Sequence, residues 1–179
     1  MRTILRGAAV AALALAIGAA PVFAGNAGAR PGSATIVEIV LADDGEFDVL
    51  QAAVIEAGLA GALSSTDDQY TVFAPTDAAF VATFRSLLGD GSLTEADVIA
   101  FVEAGGVDSA FGDGALADIL LYHVTNGRRT AKSVVKAPGY TMLNGDRLSR
   151  GQLLDAGIAA VDISASNGVI HVINWVLLP

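Results

Sequence analysis

From Thr35 onward the apolar positions fall into helical registers. Ile36, Ile39 and Val40 share one face of a short segment that Asp43, Asp44 and Gly45 close. Phe47, Leu50, Val54 and Ile55 then follow at the spacing of an amphipathic stripe, which predicts a longer helix ended by Gly58. A short apolar turn from Leu59 to Leu63 and a polar loop from Ser64 to Gln69 come next. Tyr70 to Ala74 is a compact β-rich run that Pro75 stops, and it reads as a strand. Thr76 stands where an N-cap belongs, and Asp77 suits the positive end of the helix dipole. Phe80, Phe84, Leu87 and Leu88 form the buried stripe expected of that helix. Ser92 with Glu95 fits a capping box for another helix, with Val98, Phe101 and Val102 on its inner face. Gly105, Gly106, Gly112 and Gly114 predict a loose connection, after which Leu116, Ile119 and Leu120 open a helix running into Tyr122-His123.

The last third changes character. Asn144-Gly145 and Asn167-Gly168 are both signals for type I′ hairpin turns, and the second is flanked by two β-branched runs, Val161 to Ala165 and Val169 to Leu178. Helices first and hairpins later predict an α+β domain, not an alternating parallel α/β one.

The N-terminus carries a different pattern. Arg2 and Arg6 precede an apolar stretch from Gly7 to Ala20, and the small residues Val22 and Ala24 follow it. Charged start, apolar core and small-residue exit predict a secretory signal peptide over residues 1–24, with the mature chain beginning at Gly25. Residues 25–33 are small and breaker-rich and read as a flexible lead-in to one domain spanning residues 34–179. The chain has no cysteine, which excludes disulfides and thiolate metal sites.

Charge is placed unevenly. Residues 25–118 carry sixteen acidic and two basic residues; residues 119–179 carry three acids and six bases, which with Arg2 and Arg6 makes the −9 of the whole chain. A chain this acidic is not expected to bind nucleic acid. Four of the bases cluster as Arg128, Arg129, Lys132 and Lys136, either a solvated face or a patch for an anionic partner.

Three stretches, in order, carry a family resemblance. They are Thr71 to Phe80 (TVFAPTDAAF), Leu121 to Val124 (LYHV) and Asn167 to Pro179 (NGVIHVINWVLLP). They resemble the first conserved box, the Tyr-His motif and the second box of the fasciclin (FAS1) family. Asn174 stands where many members have Asp. The resemblance implies a wedge-shaped β-sandwich flanked by several α-helices, with the two boxes as adjacent central strands. It also implies a secreted or periplasmic binding module, in cell adhesion or in cell-envelope or extracellular-matrix interaction. The partner would be a cell-surface or matrix protein or a polysaccharide. Some members carry carotenoids, so a carrier of an apolar small molecule is the alternative. The family is in the main not enzymatic. No cofactor, no membrane span in the mature chain and a monomeric state are the accompanying expectations.

The chemistry on offer is sparse. His123 and His171 are the only histidines, and with scattered Asp they make no metal-ligand spacing. No Gly-x-Ser-x-Gly elbow, P-loop or dinucleotide fingerprint is present. Asp43-Asp44 and Asp67-Asp68 match no EF-hand loop and read as solvated caps or turns. His123 is expected to be buried and hydrogen-bonded to the first box through Thr76 or Asp77, with a partner-binding role as the other reading. Tyr122 is a core residue or an exposed anchor. His171, mid-strand, holds a satisfied hydrogen bond or faces outward. Thr76, Asp77, Asn167, Gly168 and His171 are the residues given structural roles.

Overall fold

The computed structural model describes residues 32–42 and 45–179. The expected signal peptide, residues 25–31 of the lead-in and the Asp43-Asp44 pair lie outside the described residues. The helical first half comprises α1 (Ile36–Leu41), α2 (Asp48–Glu56), α3 (Ala60–Leu63), strand β1 (Tyr70–Pro75), α4 (Asp77–Leu88), α5 (Glu95–Glu103), α6 (Gly106–Phe111) and α7 (Ala115–Leu121). The second half holds β2 (Val124–Asn126), α8 (Ala131–Val134), β3 (Gly139–Thr141), β4 (Arg147–Ser149), α9 (Arg150–Asp155), β5 (Ile158–Ala165) and β6 (Gly168–Ile173). The domain is α+β, as the sequence pattern predicts.

A four-stranded mixed sheet in the order β2-β1-β6-β5 forms the centre, and β3 pairs with β4 in a separate two-stranded ribbon. The two sequence boxes do become adjacent central strands: β1 and β6 run parallel, with Tyr70 opposite Gly168 and Pro75 opposite Ile173. All residues of both strands are buried, which explains why they read as unbroken apolar runs rather than as alternating ones. Alternate side chains serve two cores. Val72, Ala74, Ile170 and Val172 pack with the helices, among them Val49 and Val54 of α2, Val98 and Val102 of α5 and Leu120 of α7. Phe73 and Ile173 point to the other face, against Tyr122, Tyr140, Leu148 and Leu153 of the ribbon side.

Several local expectations are corrected. Leu87 and Leu88 are exposed, because the buried stripe of α4 stops at Phe84, which stacks edge-on against Phe101 of α5. The capping box of α5 is Thr94 with Asp97, not Ser92 with Glu95; Glu95 is itself the first helical residue. The Gly-rich stretch is not a loose connection throughout, since it contains α6. Neither Asn-Gly pair makes a type I′ turn, because Asn144 and Asn167 do not take positive φ; Asp162 is the one non-glycine residue that does among the described residues. Leu143 to Gly145 is a three-residue loop between the paired Met142 and Asp146, with Gly145 at φ 96° closing it.

In the β5–β6 hairpin the turn residues are Ser166 and Asn167, and Gly168 is already paired with Ala165. Its glycine is needed for another reason. A Cβ there would strike the Tyr70 carbonyl oxygen and lie 2.8 Å from Ile36 Cδ1, so the neighbouring backbone would have to move. Gly168→Val should therefore lose on the order of 1–3 kcal/mol through overpacking. A urea midpoint unchanged from wild type would remove the close-approach account.

Candidate functional site

The residues of the boxes and the Tyr-His motif are pulled inward. Tyr122 ends α7 and is 2% exposed; His123 follows it at 3%. His123 does not bond to Thr76 or Asp77. Its Nε2 accepts from the Leu177 backbone N–H at 2.9 Å, so the proton sits on Nδ1, which donates to the Ile119 carbonyl at 2.7 Å. The ring thus ties the end of α7 to the C-terminal segment. Burial pushes its pKa down to about 4, against a smaller upward push from the Ile119 hydrogen bond. The Tyr122 hydroxyl has only long contacts, 3.5 Å to the Arg147 carbonyl and to the Gln152 amide. Both rings are thus held within the domain by neighbouring elements.

His171 is fully buried, and its outward-facing alternative is excluded. It stacks on Phe73 with ring centroids 5.8 Å apart. The Asp162 N–H donates to Nδ1 at 3.2 Å, and Nε2–H donates to the Arg129 carbonyl at 2.8 Å. Burial lowers its pKa as well. Asp162 holds its positive φ at an irregularity in β5, and its carboxylate accepts from the Ala131 N–H at the start of α8. Nothing in the local sequence marks Asp162 for this role.

Thr76 caps α4 as expected, accepting from the Ala79 N–H at 3.2 Å. Asp77 caps a different helix. Its carboxylate accepts from the Val49 and Asp48 N–H groups at 2.9 and 3.1 Å, serving α2, whose own N-cap residue Phe47 has no side chain able to do so. Asn167, fully buried, is a clamp rather than a turn former. Its oxygen accepts from the Ile36 N–H at 2.9 Å, and its amide donates to the Leu63 and Ser65 carbonyls at 2.8 and 2.9 Å.

One acidic cluster escaped sequence reasoning. Carboxylate oxygens of Asp48, Asp77 and Glu95 lie within 4.8 Å of one another. Each is the first residue of its helix, so three helix N-termini converge and their dipoles offset the crowded negative charge. Burial, then the charges of Asp77 and Asp48, raise the Glu95 pKa.

The exposed chemistry lies elsewhere. Arg128, Arg129, Lys132 and Lys136 all reach the surface in the segment between β2 and β3. Arg128 is pinned to β5 through the Ala165 carbonyl, at 2.9 Å, and the Ser164 hydroxyl; the Arg129 guanidinium lies 6.0 Å from the Tyr140 ring centre. An open cleft of about 320 Å³ runs between α9 and the C-terminal segment, with Gln152, Asp155, Trp175 and Leu178 among its lining residues. The apolar space between helices and sheet is nearly filled. A cavity of about 30 Å³ is left under α1, lined by Ile36, Val40, Leu50, Val72 and His123 among others. That is room for one or two waters, so a carotenoid-sized ligand would have to displace α1. Among the described residues no helix is long and apolar enough to cross a membrane.

The family model of the Fasciclin domain matches residues 45–179. Protein sll1483 of Synechocystis sp. is 35% identical over 154 residues, covering 81% of this chain and 73% of its own length. The transforming growth factor-beta-induced protein ig-h3 of Sus scrofa is 33% identical over 159 residues, covering 83% of this chain but 20% of that protein. A solved FAS1 domain pair from the insect cell adhesion molecule Fasciclin I superposes with a TM-score of 0.52 at 18% identity, over 83% of this chain and 52% of that one. That last likeness concerns the fold alone. The chain belongs to the fasciclin-domain family.

Proposed function

We propose that the chain is an exported fasciclin-domain binding module that acts in cell adhesion, at the cell envelope or in the extracellular matrix, and not an enzyme. What carries this reading is the burial of its polar chemistry. His123, His171, Asp77 and Asn167 are all committed to hydrogen bonds that join elements of the fold. The polar groups left at the surface suit binding rather than bond-breaking: the basic segment Arg128–Lys136 and the Asp155–Trp175 cleft. The fold shared with an insect cell adhesion molecule supports the same reading.

A surface coated with the mature domain should retain intact cells or envelope fragments of the encoding species. Reversing the two lysines of the basic segment with Lys132→Glu and Lys136→Glu together should cut retention about tenfold, roughly 1.4 kcal/mol, while the melting temperature holds. N-terminal sequencing of the extracytoplasmic protein should read from Gly25. Retention equal to that of an uncoated surface, or an intact Met1 on a cytoplasmic product, would overturn the reading.

A further inference from the structure

We propose that the cleft between α9 and the C-terminal segment takes an arginine side chain of a partner polypeptide. The proposal rests on the reading of the domain as a binding module and names a contact distinct from the basic segment. Asp155 is exposed at the last position of α9, where the negative end of the helix dipole disfavours a carboxylate. No hydrogen bond or ion pair answers that charge among the described residues. Gln152, one turn earlier, lines the same wall. Across from them Trp175 is 43% exposed, although Val176 and Leu177 beside it are buried. Tyr122 lines the cleft as well, with its loosely held hydroxyl, and Val176 and Leu178 add apolar surface.

A guanidinium matches this set. Its plane stacks on an indole face, its N–H fork donates to a carboxylate, and its aliphatic stem lies on apolar wall. An ammonium would meet the carboxylate only as a point charge. Anionic ligands would face Asp155 directly. The net charge of −9 also favours approach of a cationic partner.

Trp175 is the chain's single tryptophan, so fluorescence excited selectively at the indole reports on this cleft. The mature protein would be titrated with acetyl-Leu-Arg-Leu-amide, with its citrulline counterpart, which is neutral and nearly isosteric, and with the lysine counterpart. The arginine peptide should give a saturable change that weakens with added salt. The citrulline and lysine peptides should bind at least about tenfold more weakly. Asp155→Asn should weaken the arginine peptide by about the same factor with an unchanged melting temperature. Equal binding of the citrulline or lysine peptide, an Asp155→Asn variant that binds as wild type, a larger response to the neutral sugar maltotriose, or no saturable response would each overturn the assignment. A protein that retains cells but fails this titration loses the cleft assignment alone; one that fails both loses the binding-module reading as well.

Discussion

Replacing Asn167 with alanine should cost the domain roughly 3–5 kcal/mol, among the largest losses of any single polar truncation in it. The side chain is fully buried and makes three hydrogen bonds to backbone groups of residues far away in sequence. Alanine leaves the Ile36 N–H and the Leu63 and Ser65 carbonyls without those partners. Each such buried group costs about 1–3 kcal/mol, and partial entry of water keeps the sum below the maximum. The loss has a location as well as a size. The Ile36 N–H belongs to the first turn of α1, and Leu63 ends α3, so the amide protons of both helices should exchange early in the variant. Asn167→Asp is the informative companion. It keeps an acceptor for Ile36 but turns a carboxylate oxygen toward two carbonyls. Relative to wild type it should regain stability on acidification, because the protonated carboxyl can donate to one of them. Urea unfolding at two pH values, with hydrogen exchange, checks all three statements. A cost below about 1 kcal/mol for the alanine variant would end the clamp account.

The same residue shows where sequence reading stopped. Asn167-Gly168 carries a hairpin signal, and the hairpin is there, but the turn is shifted by one residue because Gly168 is spent on passing the Tyr70 carbonyl. Elements dictated by local pattern were legible. The Thr76 cap and the apolar runs of β1 and β6 follow from spacing and composition, and the family boxes placed those two strands side by side; the α2 stripe was read only in part, since Leu50 and Val54 are buried but Ile55, expected beside them, is exposed and Val49 is buried in its stead. Polar partnerships were not legible, because they join residues 131 positions apart at Asn167–Ile36, 54 at His123–Leu177 and 28 at Asp77–Val49. Asp77 has the right residue type at a helix start, yet it caps α2 rather than its own helix. The exposure of Leu87 and Leu88 has the same origin: the stripe is continuous in sequence, but the core it faces is not. The candidate cleft needed α9 and residues 175–178 to be brought together, and no local motif records that.

His123 supplies the sharpest pH test. In the fold it is neutral, since Nε2 must accept from the Leu177 N–H and burial disfavours the imidazolium, which holds its pKa near 4. In the unfolded chain the pKa returns to about 6.5. Between those values the unfolded chain binds a proton that the folded one refuses, so stability must fall as pH is lowered through this window. The contribution is fully present above about pH 6.5, about 2 kcal/mol of it is gone by pH 5, and the loss levels off near 3 kcal/mol below pH 4. His171, whose pKa burial also lowers, adds in the same direction. Glu95, with a raised pKa, works the other way and would soften the acid limb. His123→Ala should cost on the order of 2–4 kcal/mol at pH 7, from the cavity and the unpaired Leu177 and Ile119 groups. It should also flatten the slope between pH 5 and 6.5, because the titrating group is gone. Tyr122→Phe, which gives up only two long contacts, should lose less than about 1 kcal/mol and keep the slope. Denaturant unfolding of the three proteins across pH 4–8 decides the matter. A His123→Ala profile parallel to wild type, or a wild-type stability that rises from pH 6.5 to pH 5, would show that this imidazole is charged or solvated in the folded protein.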